Sequence, residues 1–159
     1  MASSIKNLSS YSQVNLKGVS EKRFGIVVSE WNGSVTESLL EGALQTLLSH
    51  GVQKENISTV QVPGSFELSL GAQRMAKKET IEAVICLGCV VQGETRHFEF
   101  ICNAVANGLM NVSLKYHKPV VFGVLTTDTY QQALDRAGGK HGNKGDEAAI
   151  TAIKMLFSE

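Results

Sequence analysis

Two hydrophobic periods alternate along this chain. Short aliphatic runs at Arg23–Ser29, Ile57–Val62, Ala83–Leu87 and Pro119–Thr126 predict buried strands. Between and after them, apolar residues recur at helical spacing. Leu40, Leu44, Leu47 and Leu48 form one such set, and Phe98, Ile101, Val105, Leu109 and Val112 form another. A further helix is expected to begin near Ser65, just after Pro63-Gly64. Two more are expected at Thr129–Ala137 and Asn143–Phe157, separated by the segment Gly138–Gly142. Strands that alternate with helices imply a parallel sheet covered on both faces. The chain shows no internal repeat and no low-complexity segment.

Local signals place some of the ends. Ser34 and Glu37 have the spacing of a capping box, and Gly51 stops the helix that this box would start. His50 and His117 each close an apolar-periodic run, where the negative end of a helix dipole favours partial positive charge. Residues 1–22 are rich in Ser, Asn and Lys and are expected to form an arm, with a short strand near Val14–Leu16. Residues 23–159 are then one domain, in keeping with a length of 159 residues.

Composition removes several function classes. The formal net charge is zero, so the sequence shows no bulk attraction to nucleic acid or anionic membrane, and with 6% of residues aromatic it gives no evidence for a base-stacking surface. Forty-three per cent of residues are hydrophobic, the share of a folded globular domain. No apolar run has membrane-spanning length, and the N-terminus lacks the pattern of a signal peptide, so a cytoplasmic protein is expected. Three cysteines make a poor disulfide framework.

The segment most suited to chemistry is Gly88–Phe98. It leaves the end of a predicted strand and enters a predicted helix. In open α/β sheets ligands bind at that junction, and the helix N-terminus presents free N–H groups to an anion. His97 falls in the first turn. The dipole there disfavours an imidazolium, which leaves a neutral ring available as a base; the alternative is a packed or solvent-facing histidine.

Other motifs have plainer readings. Cys86 and Cys89 have redox or zinc-pair spacing, but on a strand they point to opposite faces. Buried structural thiols explain them, and Cys102 as well. Gly138–Gly145 fails the test for a phosphate-binding P-loop and is read as a flexible interhelical loop. Arg136, Lys140 and Lys144 give it local positive charge. Trp31 lies at the end of a strand, where it either packs at a rim or stacks on a flat ligand.

Taken in order, Trp31-Asn32, Pro63–Leu68, Gly88–Phe98, Phe122–Thr126 and Arg136–Gly138 with Gly142–Ala149 resemble the lumazine synthase family. The resemblance covers nearly all of the chain after the arm. It implies a flavodoxin-like three-layer αβα sandwich with a parallel four-stranded sheet, plus an N-terminal strand exchanged with a neighbouring subunit. It implies a transferase of riboflavin biosynthesis. A ribitylaminopyrimidinedione would condense with dihydroxybutanone phosphate to give 6,7-dimethyl-8-ribityllumazine, phosphate and water. No metal or organic cofactor is implied.

By position, the resemblance assigns His97 to proton transfer and Trp31 to stacking on the pyrimidine. Asn32, Ser65, Phe66 and Glu67 would hold the ribityl chain, and Val90 and Val91 would line the heterocycle. Gly93, Glu94, Thr95 and Arg136 would meet the phosphate, with Lys144 beside them. Phe122 and Arg136 would come from a neighbour. The implied assembly is a homopentamer, with a shell of twelve pentamers in some members. The chain departs from the family at Ser69, where proline is expected, and at Gln92, where a basic residue is frequent. An archaeal-type riboflavin synthase and a non-catalytic flavin-binding module are the competing readings.

Overall fold

The computed structural model describes residues 17–158. The predicted strand near Val14–Leu16, and its exchange with a neighbour, lie outside those residues. Four parallel strands form the central sheet: β1 (Phe24–Ser29), β2 (Ile57–Val62), β3 (Ala83–Val91) and β4 (Val120–Thr127), in the order β2-β1-β3-β4. Each is joined to the next by a helix: α1 (Gly33–Ser49), α2 (Leu68–Ala76) and α3 (His97–Tyr116). Beyond β4 come α4 (Tyr130–Asp135) and α5 (Lys144–Leu156). The expected α/β sandwich is therefore present, with a parallel sheet between two helical layers.

Strand periodicity divides the core in two. Phe24, Ile26 and Val28 of β1 and Ile85, Leu87 and Cys89 of β3 pack with α1 and α5. Val27, Val84 and Cys86 face the other way, against Leu68, Met75, Val105 and Leu109 of α2 and α3. Cys86 and Cys89 accordingly occupy opposite faces, and all three cysteines are free thiols. Burial raises the Cys86 thiol and pushes Cys89 up to about 11, so neither is a thiolate near neutral pH. Among the described residues, no helix is long and apolar enough to cross a membrane.

Helix ends differ from expectation in three places. The Ser34–Glu37 capping box does not form, because α1 starts at Gly33. Asn32 is its N-cap in a left-handed conformation (φ 62°), and the Asn32 carbonyl accepts the N–H groups of Val35 and Thr36. The segment near Ser65 opens with a 3-10 turn, Ser65–Glu67, before α2 begins at Leu68. The supposed flexible loop after Arg136 is a small antiparallel hairpin, β5 (Ala137–Gly139) and β6 (Gly142–Asn143). Asn143 fastens it by donating to the Ser38 carbonyl of α1 at 2.9 Å and by capping α5 through the Gly145 N–H. His50 and His117 do close α1 and α3, as their positions predict.

Candidate active site

The sheet's carboxyl end is zipped beyond its strands. Glu30 N–H donates to the Val62 carbonyl at 2.8 Å and Trp31 N–H to the Pro63 carbonyl at 3.1 Å. These bonds carry the β1–β2 ladder into the two loops that follow. Asn32 Nδ2 donates to the Cys89 carbonyl at 2.9 Å and ties the first loop to β3. On the other side, Gln92 N–H reaches the Thr127 carbonyl at 2.8 Å. A hydrogen-bonded rim results, built from three backbone bonds and the Asn32 side chain.

Inside this rim lies an open cleft of about 810 Å³. Trp31 and Asn32 bound it after β1, residues 63–67 after β2, and Cys89, Val90 and Val91 on β3; His97, Phe100 and Ile101 close it from α3. The volume suits a small heterocycle with a side chain. Trp31, Phe66 and Phe100 are 72%, 55% and 70% exposed. Three large aromatic groups left in water around one cleft mark a surface that awaits a flat ligand.

The polar groups are few. Among the described residues, Glu67 is the only carboxylate on the lining and His97 the only imidazole. His97 opens α3, and its N–H meets Thr95 Oγ1 at 3.4 Å. The side chain of Gln92 folds over the same loop, donating to the Gly93 carbonyl at 2.6 Å. Gly93, Glu94 and Thr95 are exposed just before Arg96, the exposed N-cap of α3, where unpaired N–H groups favour an anion.

The structure thus gathers eight of the sequence-predicted side chains on the cleft: Trp31, Asn32, Ser65, Phe66, Glu67, Val90, Val91 and His97. Gly93, Glu94 and Thr95 lie at its mouth, on the loop between Val91 and His97. Phe122, Arg136 and Lys144 are not on the lining. Phe122 pairs in register with Cys86 while Thr126 pairs with Val90, which sets Phe122 about 13 Å down the strand from the cleft. Arg136 is flanked by Ala133 and Ala137 of the α1/α5 core, and its Nη1 donates to the Gln132 carbonyl of α4. Lys144 pairs with Glu147. Among the described residues, no lysine or arginine therefore lines the cleft of one chain.

Sequence reasoning missed Phe100 and Ile101 as lining residues. They stand three and four positions after His97, so one helical turn brings all three to the same surface. That spacing was readable, but the apolar stripe absorbed Ile101 into the core and left Phe100 unassigned. Cys89, Pro63 and Gly64 were also missed. The lining includes them because of backbone position, which no residue type signals.

A family model described as 6,7-dimethyl-8-ribityllumazine synthase matches residues 21–159. A protein of that name from Cytophaga hutchinsonii is 65% identical over 98% of both chains. One from Parabacteroides distasonis is 55% identical over the same shares, and one from Porphyromonas gingivalis is 49% identical over 100% of this chain and 99% of its own. The match includes both halves of the rim, the β3–α3 junction, Arg136 at the end of α4 and the hairpin that follows it. Its extent and identity leave one assignment: the chain belongs to the 6,7-dimethyl-8-ribityllumazine synthase family.

Proposed function

We propose that this cleft condenses 5-amino-6-ribitylaminouracil with 3,4-dihydroxy-2-butanone 4-phosphate. The products are 6,7-dimethyl-8-ribityllumazine, phosphate and water, a transferase step of riboflavin biosynthesis. The observation that carries the reading is the aromatic cleft with one histidine at a helix N-terminus. Imine formation, phosphate elimination and ring closure are all proton-transfer steps. They need two substrates held in register and one group that exchanges protons.

Trp31 stacks on the pyrimidine, and Val90 and Val91 press on its ring. Ser65, Phe66 and Glu67 hold the ribityl chain, with Glu67 accepting from its hydroxyls. Asn32 serves chiefly by bracing the Trp31 loop, since one of its amide donors is already spent on Cys89. Gly93, Glu94 and Thr95 shape the phosphate pocket at the start of α3. His97 takes and returns the proton as phosphate leaves.

Among the described residues no lysine or arginine lines the cleft, and Arg96, the exposed N-cap of α3, is the one cation of this chain on the phosphate loop; a dianionic phosphate favours a second cation from elsewhere. We assign that role to Arg136 of an adjacent copy, with Phe122 of the same copy closing over the heterocycle and Lys144 supporting the hairpin. A ring requires one face of each subunit to fit a different face of the next. Exposed apolar groups support this: Phe122 on β4, Tyr130 on α4, and Leu70, Met110 and Leu114 on α2 and α3. The edge strand β2 has four successive exposed residues, Ser58–Gln61, which suits the addition of a neighbour's Val14–Leu16 strand. The assembly we infer is a pentamer, competent for a larger shell, acting in the cytoplasm with its thiols reduced.

The test is to supply both substrates together and each alone, and to follow phosphate and the lumazine. Both products are expected only with the pair. Conversion of the lumazine to riboflavin instead would favour the riboflavin synthase reading.

A further inference from the structure

Beneath the cleft floor are two hydroxyls with nothing to bond among the described residues. Ser29 is 1% exposed and Ser65 6%, and neither Oγ has a hydrogen-bond partner there. Such groups are rare in folded proteins and generally mark an ordered water or ligand. Here the two converge. A Cβ placed on Gly88 would stand 2.7 Å from Ser65 Oγ and 3.4 Å from Ser29 Oγ. Leu68 Cδ1 stands 2.9 Å from the same position, so glycine is the residue that leaves room for both hydroxyls and the Leu68 methyl.

Topology fixes this arrangement. Val28 pairs with Leu87, so Ser29 and Gly88 stand side by side at the next step of β1 and β3. Both share the face of Val27 and Cys86, toward α2 and α3. The next residue of β3 on that face is Val90, which lines the cleft. Ser65 comes in from above on the 3-10 turn and lines the cleft as well. The pair is one pleat below the surface on which a ligand would lie.

We infer that Ser29 and Ser65, with Gly88 between them, form a binding site for a single hydroxyl-sized oxygen at the cleft floor, and that Ser29 thereby helps to select the polyol substrate. An oxygen about 2.8 Å from each hydroxyl would pair both of them. The occupant is either a water that the ribityl chain bonds, or a ribityl hydroxyl itself; a bridging water transmits recognition nearly as well as direct contact. Ser29 acts as a positioning residue, and the selectivity part of the inference rests on the proposed function.

The test is a crystal structure of the unmodified protein at a resolution that orders water, alone and with a ribitylaminopyrimidine analogue that cannot condense. An oxygen between the two hydroxyls is expected in the free protein. Retention in the complex identifies water as the occupant, and replacement by a ribityl hydroxyl identifies the substrate. An unfilled site in both maps overturns the inference. Kinetics of Ser29→Ala give the second readout. KM for the ribitylamino substrate should rise about five-fold, the scale of one hydrogen bond, with kcat and KM for the phosphate substrate held. An equal change in both KM values, or in neither, overturns the selectivity. If the unmodified protein makes no lumazine, the functional reading fails, while the free-protein map still decides whether the oxygen site exists.

Discussion

Asn32 and Cys89 are joined by a 2.9 Å hydrogen bond from the Asn32 amide to the Cys89 carbonyl, between the loop after β1 and strand β3, far apart in sequence. The bond holds Trp31 over the cleft. It also accounts for the left-handed backbone at Asn32, a conformation that asparagine tolerates better than most residues. Asn32→Gly keeps that backbone and removes only the amide. Its expected cost is about 1 kcal/mol or less in stability. Trp31 is the only tryptophan, so its emission reports the loop directly. Binding of a pyrimidinedione should change Trp31 emission in the unmodified protein, with a weaker midpoint in Asn32→Gly. Emission that ignores saturating ligand would remove Trp31 from the stacking role.

His97 opens α3 on the cleft wall, beside the loop that would receive phosphate. His97→Ala should lower the single-turnover rate by about 10²–10⁴ if the imidazole moves a proton in the slow step. Rapid-mixing measurements of lumazine formation would show this. An unchanged rate would mean that the ring only packs there.

Lys22 and Glu82 tie the start of the domain to the start of β3, with Nζ 2.6 Å from Oε1 and the Arg23 N–H donating to Oε2 at 3.0 Å. Burial works to raise the Glu82 carboxyl. The Lys22 hydrogen bond, the Arg23 N–H and the charges of Lys22 and Lys118 outweigh it, and the net shift is downward from 4.5. A lowered folded value stabilises the native state above the unfolded value, and that contribution is lost as pH falls through the folded one. Glu82→Gln should therefore cost under about 1 kcal/mol at pH 7, because the pair is partly solvated. Thermal melts across pH should show the gap between the two proteins closing on the acid side. A constant gap would assign the effect to packing.

Much of this fold was legible because strands and helices here carry clean periods. The run Ile57–Val62 was placed to the residue, and β3 was cut short only because Val90 and Val91 continue past a glycine and a cysteine. The α1 start was misplaced because a local capping pattern lost to a long-range bond: Asn32 is held by Cys89, which sequence spacing does not reveal. The hairpin after Arg136 was read as loop because its order comes from Asn143 reaching back to Ser38, over a hundred positions earlier. At the site, the residues on loops and strand ends were legible through resemblance. Phe100 stands at a readable spacing from His97 but outside the apolar stripe, so no sequence signal assigns it to the cleft. The Ser29–Ser65 pair could not be seen at all without the register of β1 on β3.

The central claim is that one chain builds only part of the site, with His97 on the cleft and Arg136 supplied by a neighbour. The most direct measurement mixes two crippled proteins. His97→Ala and Arg136→Ala, each strongly impaired alone, are dissociated, combined in equal amounts and reassembled, and lumazine formation is followed. Adjacent subunits then pair an intact His97 with an intact Arg136 at about a quarter of the junctions in a ring. Activity near a quarter of the unmodified rate is the predicted result. A mixture no more active than the mean of its two parents would contradict the shared site.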